Sequence, residues 1–293
     1  MMDRLHNIIQ EVVDSYLVES YSISDDVIRA SNECLEKIRD AYENKNLEYD
    51  SLNIDNDKTI PFAIISLQKP INCVDSLSRI EHLTVYVFEF ADTNEMRKYA
   101  NIVGIGGDSN VNLESILVRC SSINGKLRDN QLLPILSHEL EHIFQNIKGG
   151  LRSDYKNWYN IAVENLNGDK NSYEYIISRL IYYFNQQEID ASMHELMHDL
   201  IENKIENPND IYKCNVIKEK NFYINNMYKT IINGNQDELN MVLKNMFNTT
   251  RERFFSYLSK QMHYFDKKVM RVVMEYFRRK QIIYKPKSII PPR

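Results

Sequence analysis

Glycine and proline are scarce in this chain, with 8 and 7 residues among 293. Because these residues punctuate regular structure, their scarcity favours a helix-rich fold. No stretch approaches the about 18 consecutive apolar residues of a transmembrane helix, which argues against a membrane partner. The hydrophobic fraction of 43% is nevertheless sufficient for a globular core.

Cysteine is also scarce, with four scattered residues and no C-x-x-C pair. This argues against a disulfide framework and a thiolate metal site, and it predicts free thiols in a reducing compartment. Residues 1–14 have acidic positions inside an apolar periodicity and no small-residue cleavage site, so they predict an amphipathic helix and not a signal peptide. We expect a cytoplasmic location, with virion association as the alternative.

One short stretch carries most of the chemistry in the sequence. His138-Glu-Leu-Glu-His142 matches H-E-x-x-H, and histidines four positions apart share a helix face, where both imidazoles can bind one Zn²⁺. Glu139 can act as the base on a water that the metal activates. The alternative is an ordinary amphipathic helix whose histidines are merely exposed.

The flanking residues predict a helix with one polar and one apolar face. At about 100° per residue, the two histidines lie opposite an apolar stripe. Its members are Leu132, Leu136, Leu140, Ile143, Phe144 and Ile147. Asn130 is a suitable N-cap and Gly149-Gly150 a suitable end. Such a helix packs one side on a core and offers the histidines to a cleft.

A catalytic zinc site needs a third protein ligand and an open position. Gln145 and Lys148 stand where H-E-x-x-H-x-x-G-x-x-H requires glycine and histidine, so we expect the ligand from another helix. Glu188-Ile-Asp-Ala191 follows 46 positions after His142 (188 − 142). Three alternatives stay open: Glu164 or Glu174 as the ligand, and a purely capping role for Glu188 in the box Asn185-Gln-Gln-Glu188.

With these two motifs the chain resembles the gluzincin metallopeptidases, in which a glutamate in a Glu-x-x-Ala or Glu-x-(Asp/Glu)-Ala context is the third ligand. It is also similar to small bacterial and phage-borne peptidases of this clan, and more weakly to the ligand helix of anthrax lethal factor. The resemblance implies His138, His142 and Glu188 as Zn²⁺ ligands and a peptide or protein substrate. It covers only the two motif helices and the chain that joins them.

A second H-E-x-x-H, His194-Glu-Leu-Met-His198, lies on the predicted Glu188 helix. By the helical count its histidines flank the Glu188 face without sharing it. We predict that His194 and His198 pack beside the ligands or support them by hydrogen bonds, and that Asp190 orients a ligand. A transition-state hydrogen bond from one of these histidines, and zinc binding by the second motif, remain alternatives.

Two tyrosines precede the predicted third ligand. Tyr183, or its neighbour Tyr182, is a candidate donor to the oxyanion of a tetrahedral intermediate. The chain has 19 tyrosines, so a packing role is the alternative.

We predict a mostly helical α+β fold, in which a small antiparallel sheet precedes the motif helix and a helical half follows it. Segment 47–58 is predicted as a loop and Gly104–Gly107 as a turn. The predicted helices and strands are helices at 3–19, 25–46, 154–166 and 172–184 and from about Gln186, and strands at 60–67, 82–90 and 113–120. An edge strand along the cleft, 113–120 or 83–90, would bind an extended peptide.

The chain divides in prediction into an N-terminal helical segment, 1–58, a zincin-like core, 59–205, and a helical C-terminal region with a basic tail, 206–293. Residues 251–293 contain 12 Lys/Arg and 3 Asp/Glu, a balance of +9, which leaves −14 for the rest of the net −5. This balance is compatible with contact to nucleic acid or an acidic partner, but the favoured interpretation is a solvated basic helix followed by a docking tail.

The sequence therefore predicts a zinc-dependent metalloendopeptidase with Glu139 as general base. Two further hypotheses stay open. One is a non-catalytic structural or scaffold protein, such as a phage virion or cargo component, that retains a peptidase-like core. The other is an intracellular toxin or regulator that cleaves one protein.

Overall fold

The structure, a computed structural model, describes residues 25–55, 58–92, 94–95, 98–99, 106–109, 115–123, 126–147 and 156–280. The helix predicted at 3–19, the glycines at 149–150 and the basic tail after residue 280 lie outside these ranges. The described strands are β1 (Glu48–Asp55), β2 (Lys58–Gln68), β3 (His82–Phe90), β4 (Gly106–Ser109), β5 (Ser115–Ile123) and β6 (Lys126–Leu127).

The described helices are α1 (Asp25–Glu43), α2 (Asp129–Ile147), α3 (Lys156–Glu164), α4 (Tyr173–Tyr183), α5 (Gln186–Glu202), α6 (Asn215–Phe222), α7 (Lys229–Asn233), α8 (Gln236–Phe247) and α9 (Arg251–Arg279). A 3₁₀ turn (Pro208–Lys213) precedes α6, and a π-helical turn (Tyr223–Tyr228) joins α6 to α7. In the described ranges, no helix has both the length and the apolar character needed to cross a membrane. The predicted α+β class, with a sheet before the motif helix and helices after it, is confirmed.

The strands form one sheet in the order β1-β2-β3-β5-β4, and the short β6 pairs with β5. The neighbours are antiparallel except for β3 and β5, which run parallel with His82 opposite Ser115. A parallel pair needs a crossover of about a dozen residues or more, and residues 91–114 supply that length. The sheet predicted as antiparallel therefore contains one parallel pair.

Among the described strands, β1 and β4 lie at the edges of the sheet. Both predicted edge strands are therefore wrong, because β3 and β5 each have neighbours on both sides. β1 forms from the segment predicted as a loop, and β4 overlaps the predicted glycine turn. Their sequences, EYDSLNID and GGDS, are rich in residues that are depleted in strands. Pairing with β2 and β5 makes them strands, and β4 lies beside α2.

Two large hydrophobic cores organise the described part of the molecule, beside a small separate cluster of Ile60, Phe88, Phe90 and Tyr99. The sheet-side core lies between the sheet and helices α1 and α2, and its buried residues are mostly aliphatic. Those on the central strands and on α2 include Ile65, Leu83, Val85, Val118, Leu136, Leu140 and Ile143. Each buried aliphatic side chain of this kind contributes about 1.5–3 kcal/mol, and the apolar stripe of α2 is confirmed as the buried face.

The helical core comprises residues of α3 to α9 and is richer in aromatic side chains. Its members include Trp158, Phe184, Phe254, Tyr257 and Phe265. Ile205, at the second predicted domain boundary, is buried in this core, and the first predicted boundary, between residues 58 and 59, falls inside β2 after its first residue.

Candidate metal centre

Helix α2 presents the first motif to the interface with α5. The helix begins at Asp129, one residue before the predicted cap Asn130, a difference within the usual uncertainty of helix ends. Since the opposite stripe is buried in the sheet-side core, His138 and His142 face away from the sheet, each with a side chain 15% exposed. This orientation follows directly from the helical periodicity of the sequence.

Helix α5 presents the second part of the site. Its N-cap is Asn185, whose side-chain oxygen accepts the Gln187 N–H at 2.9 Å. The Asn185 N–H donates to the Tyr182 carbonyl at 3.1 Å, so it is already bonded without the Glu188 carboxylate. Glu188, in the first turn, is buried and directed at α2. The capping residue is therefore present, and Glu188 is available for the site.

Three side chains converge where α2 meets α5. The two Nε2 atoms of His138 and His142 lie 3.0 Å apart, and Glu188 Oε2 lies 3.5 Å and 3.6 Å from them. A tetrahedral zinc ion with bonds of about 2.0–2.1 Å separates its ligand atoms by about 3.3 Å. The spacing and the two-nitrogen, one-oxygen donor set are compatible with one zinc ion.

These three residues form the group with metal-ligand spacing in the described part of the chain. The alternative ligands Glu164 and Glu174 do not belong to that group. Glu164 is exposed at the end of α3, and Glu174 lies in the first turn of α4. Of the three candidate glutamates, Glu188 is the one that the fold brings to the histidines.

Tyr159, on α3, holds the second oxygen of the Glu188 carboxylate. Its hydroxyl donates to Oε1 at 2.8 Å, which leaves Oε2 toward the histidines. The Tyr182 ring stacks on Tyr159 at 5.6 Å. Burial, followed by the charge of Glu188, raises the pKa of both tyrosines, so both hydroxyls remain protonated donors. Tyr159 was missed because no fixed spacing links it to either motif.

Glu188 and His138 each shift the pKa of the other. Burial acts to raise the pKa of Glu188, but His142 and His138 outweigh it and lower that pKa. Burial acts to lower the pKa of His138, yet the carboxylates of Glu195 and Glu188 raise it well above its ordinary value. Glu188 is therefore an ionised carboxylate at neutral pH, whereas a metal ion at His138 Nε2 would have to displace the proton that the two carboxylates favour.

The predicted base and the predicted oxyanion donor occupy different surroundings. Glu139 is buried on α2, and its charge contributes to the raised pKa of Tyr159 and Tyr182. The Tyr183 hydroxyl instead donates to the Val216 carbonyl at 3.2 Å, in the helical core. Tyr182 therefore lies closer to the site chemistry than Tyr183.

The second motif contacts α2 through three residues. Glu195 Oε1 lies 2.5 Å from His138 Nδ1, as an ion pair whose ring N–H is not well aligned for a hydrogen bond. His194 Nε2 lies 3.0 Å from Glu141 Oε2, and His198 Nε2 lies 3.0 Å from Ser137 Oγ. Burial, with the charge of His194, lowers the pKa of His198 to about 4, so His198 is neutral at pH 7.

These contacts place both histidines of the second motif in packed positions between the helices. No role was predicted for Glu195, although its spacing of seven positions from Glu188 puts both on one helix face. Asp190, predicted to orient a ligand, accepts from the Tyr264 hydroxyl at 2.8 Å and pairs with Lys268 at 2.7 Å. Those contacts join α5 to α9.

Comparison of the chain with protein-family models, with curated proteins and with solved structures yields no match.

Proposed function

We propose that this protein is a zinc-dependent peptidase of the gluzincin type, which hydrolyses peptide bonds in a protein or peptide substrate. The observation that carries the proposal is the convergence of His138, His142 and Glu188, with ligand atoms 3.0–3.6 Å apart. The two histidines lie on α2, which packs on the sheet-side core, whereas Glu188 lies on α5, which packs in the helical core. Such spacing matches the separation expected for ligand atoms around one divalent ion.

The roles of the side chains follow from their positions. His138, His142 and Glu188 would hold the ion, and Zn²⁺ in this place would supply Lewis-acid chemistry. Glu139 would take a proton from the attacking water and pass it to the leaving amine. The protonated hydroxyls of Tyr159 and Tyr182 would donate hydrogen bonds to the Glu188 carboxylate or to the oxyanion that develops on the scissile carbonyl. The edge strand β4, beside α2, offers its backbone to an extended peptide.

The metal assignment is tested by measuring zinc in the purified protein by mass spectrometry. We expect about one equivalent in the wild type, as a single three-ligand site predicts, and none in His142→Ala. His82→Ala is the matched control, because His82 is an exposed histidine on β3. Zinc-free wild-type protein that also fails to bind added zinc would overturn the proposal.

The catalytic assignment is tested with Glu139→Gln. This variant keeps the three ligands, so we expect wild-type zinc content and no hydrolysis of a denatured protein or a peptide library. Glu164→Gln is the control, since Glu164 is exposed at the end of α3 and lies outside the group of three. Hydrolysis at the wild-type rate by Glu139→Gln would exclude Glu139 as the base.

A further inference from the structure

The second H-E-x-x-H motif is a partner of the first. Its residues at 194, 195 and 198 contact α2 at 141, 138 and 137 respectively. Since α5 also carries Glu188, a single helix delivers one ligand and three contacts around the ligand helix α2. The duplicated motif therefore needs an explanation within the site that α2 and α5 share.

We infer that Glu195 is a positioning residue that fixes the ring of His138, and that the second motif serves the metal site of the first; this inference rests on the proposed function. The two nitrogens of His138 have different surroundings. Nε2 faces His142 and Glu188, whereas Nδ1 faces the Glu195 carboxylate at 2.5 Å. A carboxylate at one nitrogen keeps the proton there and leaves the other nitrogen free to bind a metal.

Glu195 is the carboxylate that contacts the buried Nδ1 atom of His138. The Nδ1 atom is buried and has no aligned hydrogen-bond partner among the described residues, so solvent does not substitute for the carboxylate. The Glu195 side chain itself is 32% exposed. Its removal therefore opens no sealed cavity, and variants at this position are expected to fold.

The inference is tested by measuring zinc affinity with a competing chelator in Glu195→Ala, Glu195→Gln and the control Glu202→Ala. Glu202 is an exposed glutamate on the same helix. Loss of such an outer carboxylate typically weakens metal binding about 10–100-fold, and we expect this for Glu195→Ala. Glu195→Gln keeps a hydrogen-bond acceptor and should lose less. Equal affinities for Glu195→Ala and Glu202→Ala would overturn the inference.

A second measurement separates this inference from the proposed function. In zinc-free protein, the ¹⁵N resonance of His138 Nδ1 should shift in Glu195→Ala and stay in place in Glu202→Ala. An unmoved resonance in Glu195→Ala refutes the contact whatever the metal result. If the wild type binds no zinc and the resonance shifts, the proposed function fails while the pairing of Glu195 with His138 stands.

Discussion

The sheet-side core and the helical core differ in composition and in what each supplies to the site. The former is mostly aliphatic and contributes the two histidines and Glu139 through α2. The latter is richer in aromatic residues and contributes Glu188 and Glu195 through α5 and Tyr159 through α3. Neither region holds all three proposed ligands. The interface of α2 with α5 is therefore the part of the molecule on which the proposed function depends.

The largest effect should come from removing one ligand from either region. Glu188→Ala removes the ligand of the helical region, and we expect a loss of zinc affinity greater than the about 10–100-fold typical of an outer partner. His142→Ala should cause a loss of the same order from the other side. Chelator competition measures both. Glu174→Ala is the control, and zinc affinity as high in Glu188→Ala as in this control would show that Glu188 is not a ligand.

A second comparison concerns whether the two cores unfold together. Leu140 and Leu196 are fully buried in the sheet-side and the helical core respectively. Each change to alanine should lower the free energy of unfolding by about 2–5 kcal/mol. Trp158, the single tryptophan of the chain, lies in the helical core, so its fluorescence in a urea titration reports on that region alone.

Because contacts of α2 with α5 link the cores, we expect Leu140→Ala to shift the fluorescence midpoint as well as the midpoint from circular dichroism. A fluorescence midpoint that stays at the wild-type value would mean that the cores unfold independently. Val163→Ala, at a residue 41% exposed, is the control and should change either midpoint little.

Glu33, on α1 in the sheet-side region, makes a pH-dependent contribution to the free energy of unfolding. Partial burial acts to raise the pKa of Glu33, but hydrogen bonds from Cys73 and Asn72 outweigh it and lower the pKa to about 2. A carboxylate with a lowered folded-state pKa stabilises the protein above its unfolded pKa, and this contribution disappears as pH falls through the folded value. Glu33→Gln should therefore cost on the order of 2–3 kcal/mol at pH 7.

The stability difference between wild type and Glu33→Gln should shrink as pH falls from about 4.5 toward 2, the interval between the two pKa values. Urea titrations from pH 7 downward measure it. Glu36→Gln, an exposed glutamate on the same helix, is the control. A difference that is constant over this interval would contradict the assigned pKa.

The smallest effect tests a single contact across the interface. Ser137 is fully buried and its hydroxyl lies 3.0 Å from both Ser31 Oγ and His198 Nε2. Ser137→Ala should cost about 1 kcal/mol, the usual net value of one such hydrogen bond, as measured by thermal unfolding. The control Ser78→Ala removes an exposed local hydrogen bond to the Asp75 carbonyl. An equal loss of unfolding free energy in the two variants would contradict a specific stabilising role for the Ser137 contacts.

Elements with strong periodicity were predictable, and those defined by pairing were not. The predicted strand 82–90 agrees with β3, and the helices at 172–184 and from about Gln186 agree with α4 and α5 within a residue or two. β1 and β4 were missed because their segments are polar or glycine-rich. Their strand geometry depends on neighbours distant in the sequence.

Fixed spacing on a helix sets which side chains share a face, so the sequence predicted His138 and His142 together, with Glu188 as one of three candidates for the third residue. The residues that contact this group were not predictable. Tyr159 reaches Glu188 from a third helix, and Asp190, chosen for its place in the motif, is directed at α9 instead. The rotation of α5 about its axis, set by its burial in the helical core, decides which carboxylate meets His138.

Composition and helical periodicity alone determined that this chain is α+β and that two histidines would stand opposite a buried stripe, since both follow from residue type and from 3.6 residues per turn. Tertiary structure alone decided that Glu188 meets them and that Glu195 lies behind His138. Those distances depend on how two cores pack across α2 and α5, and packing between distant segments is not encoded in any local pattern.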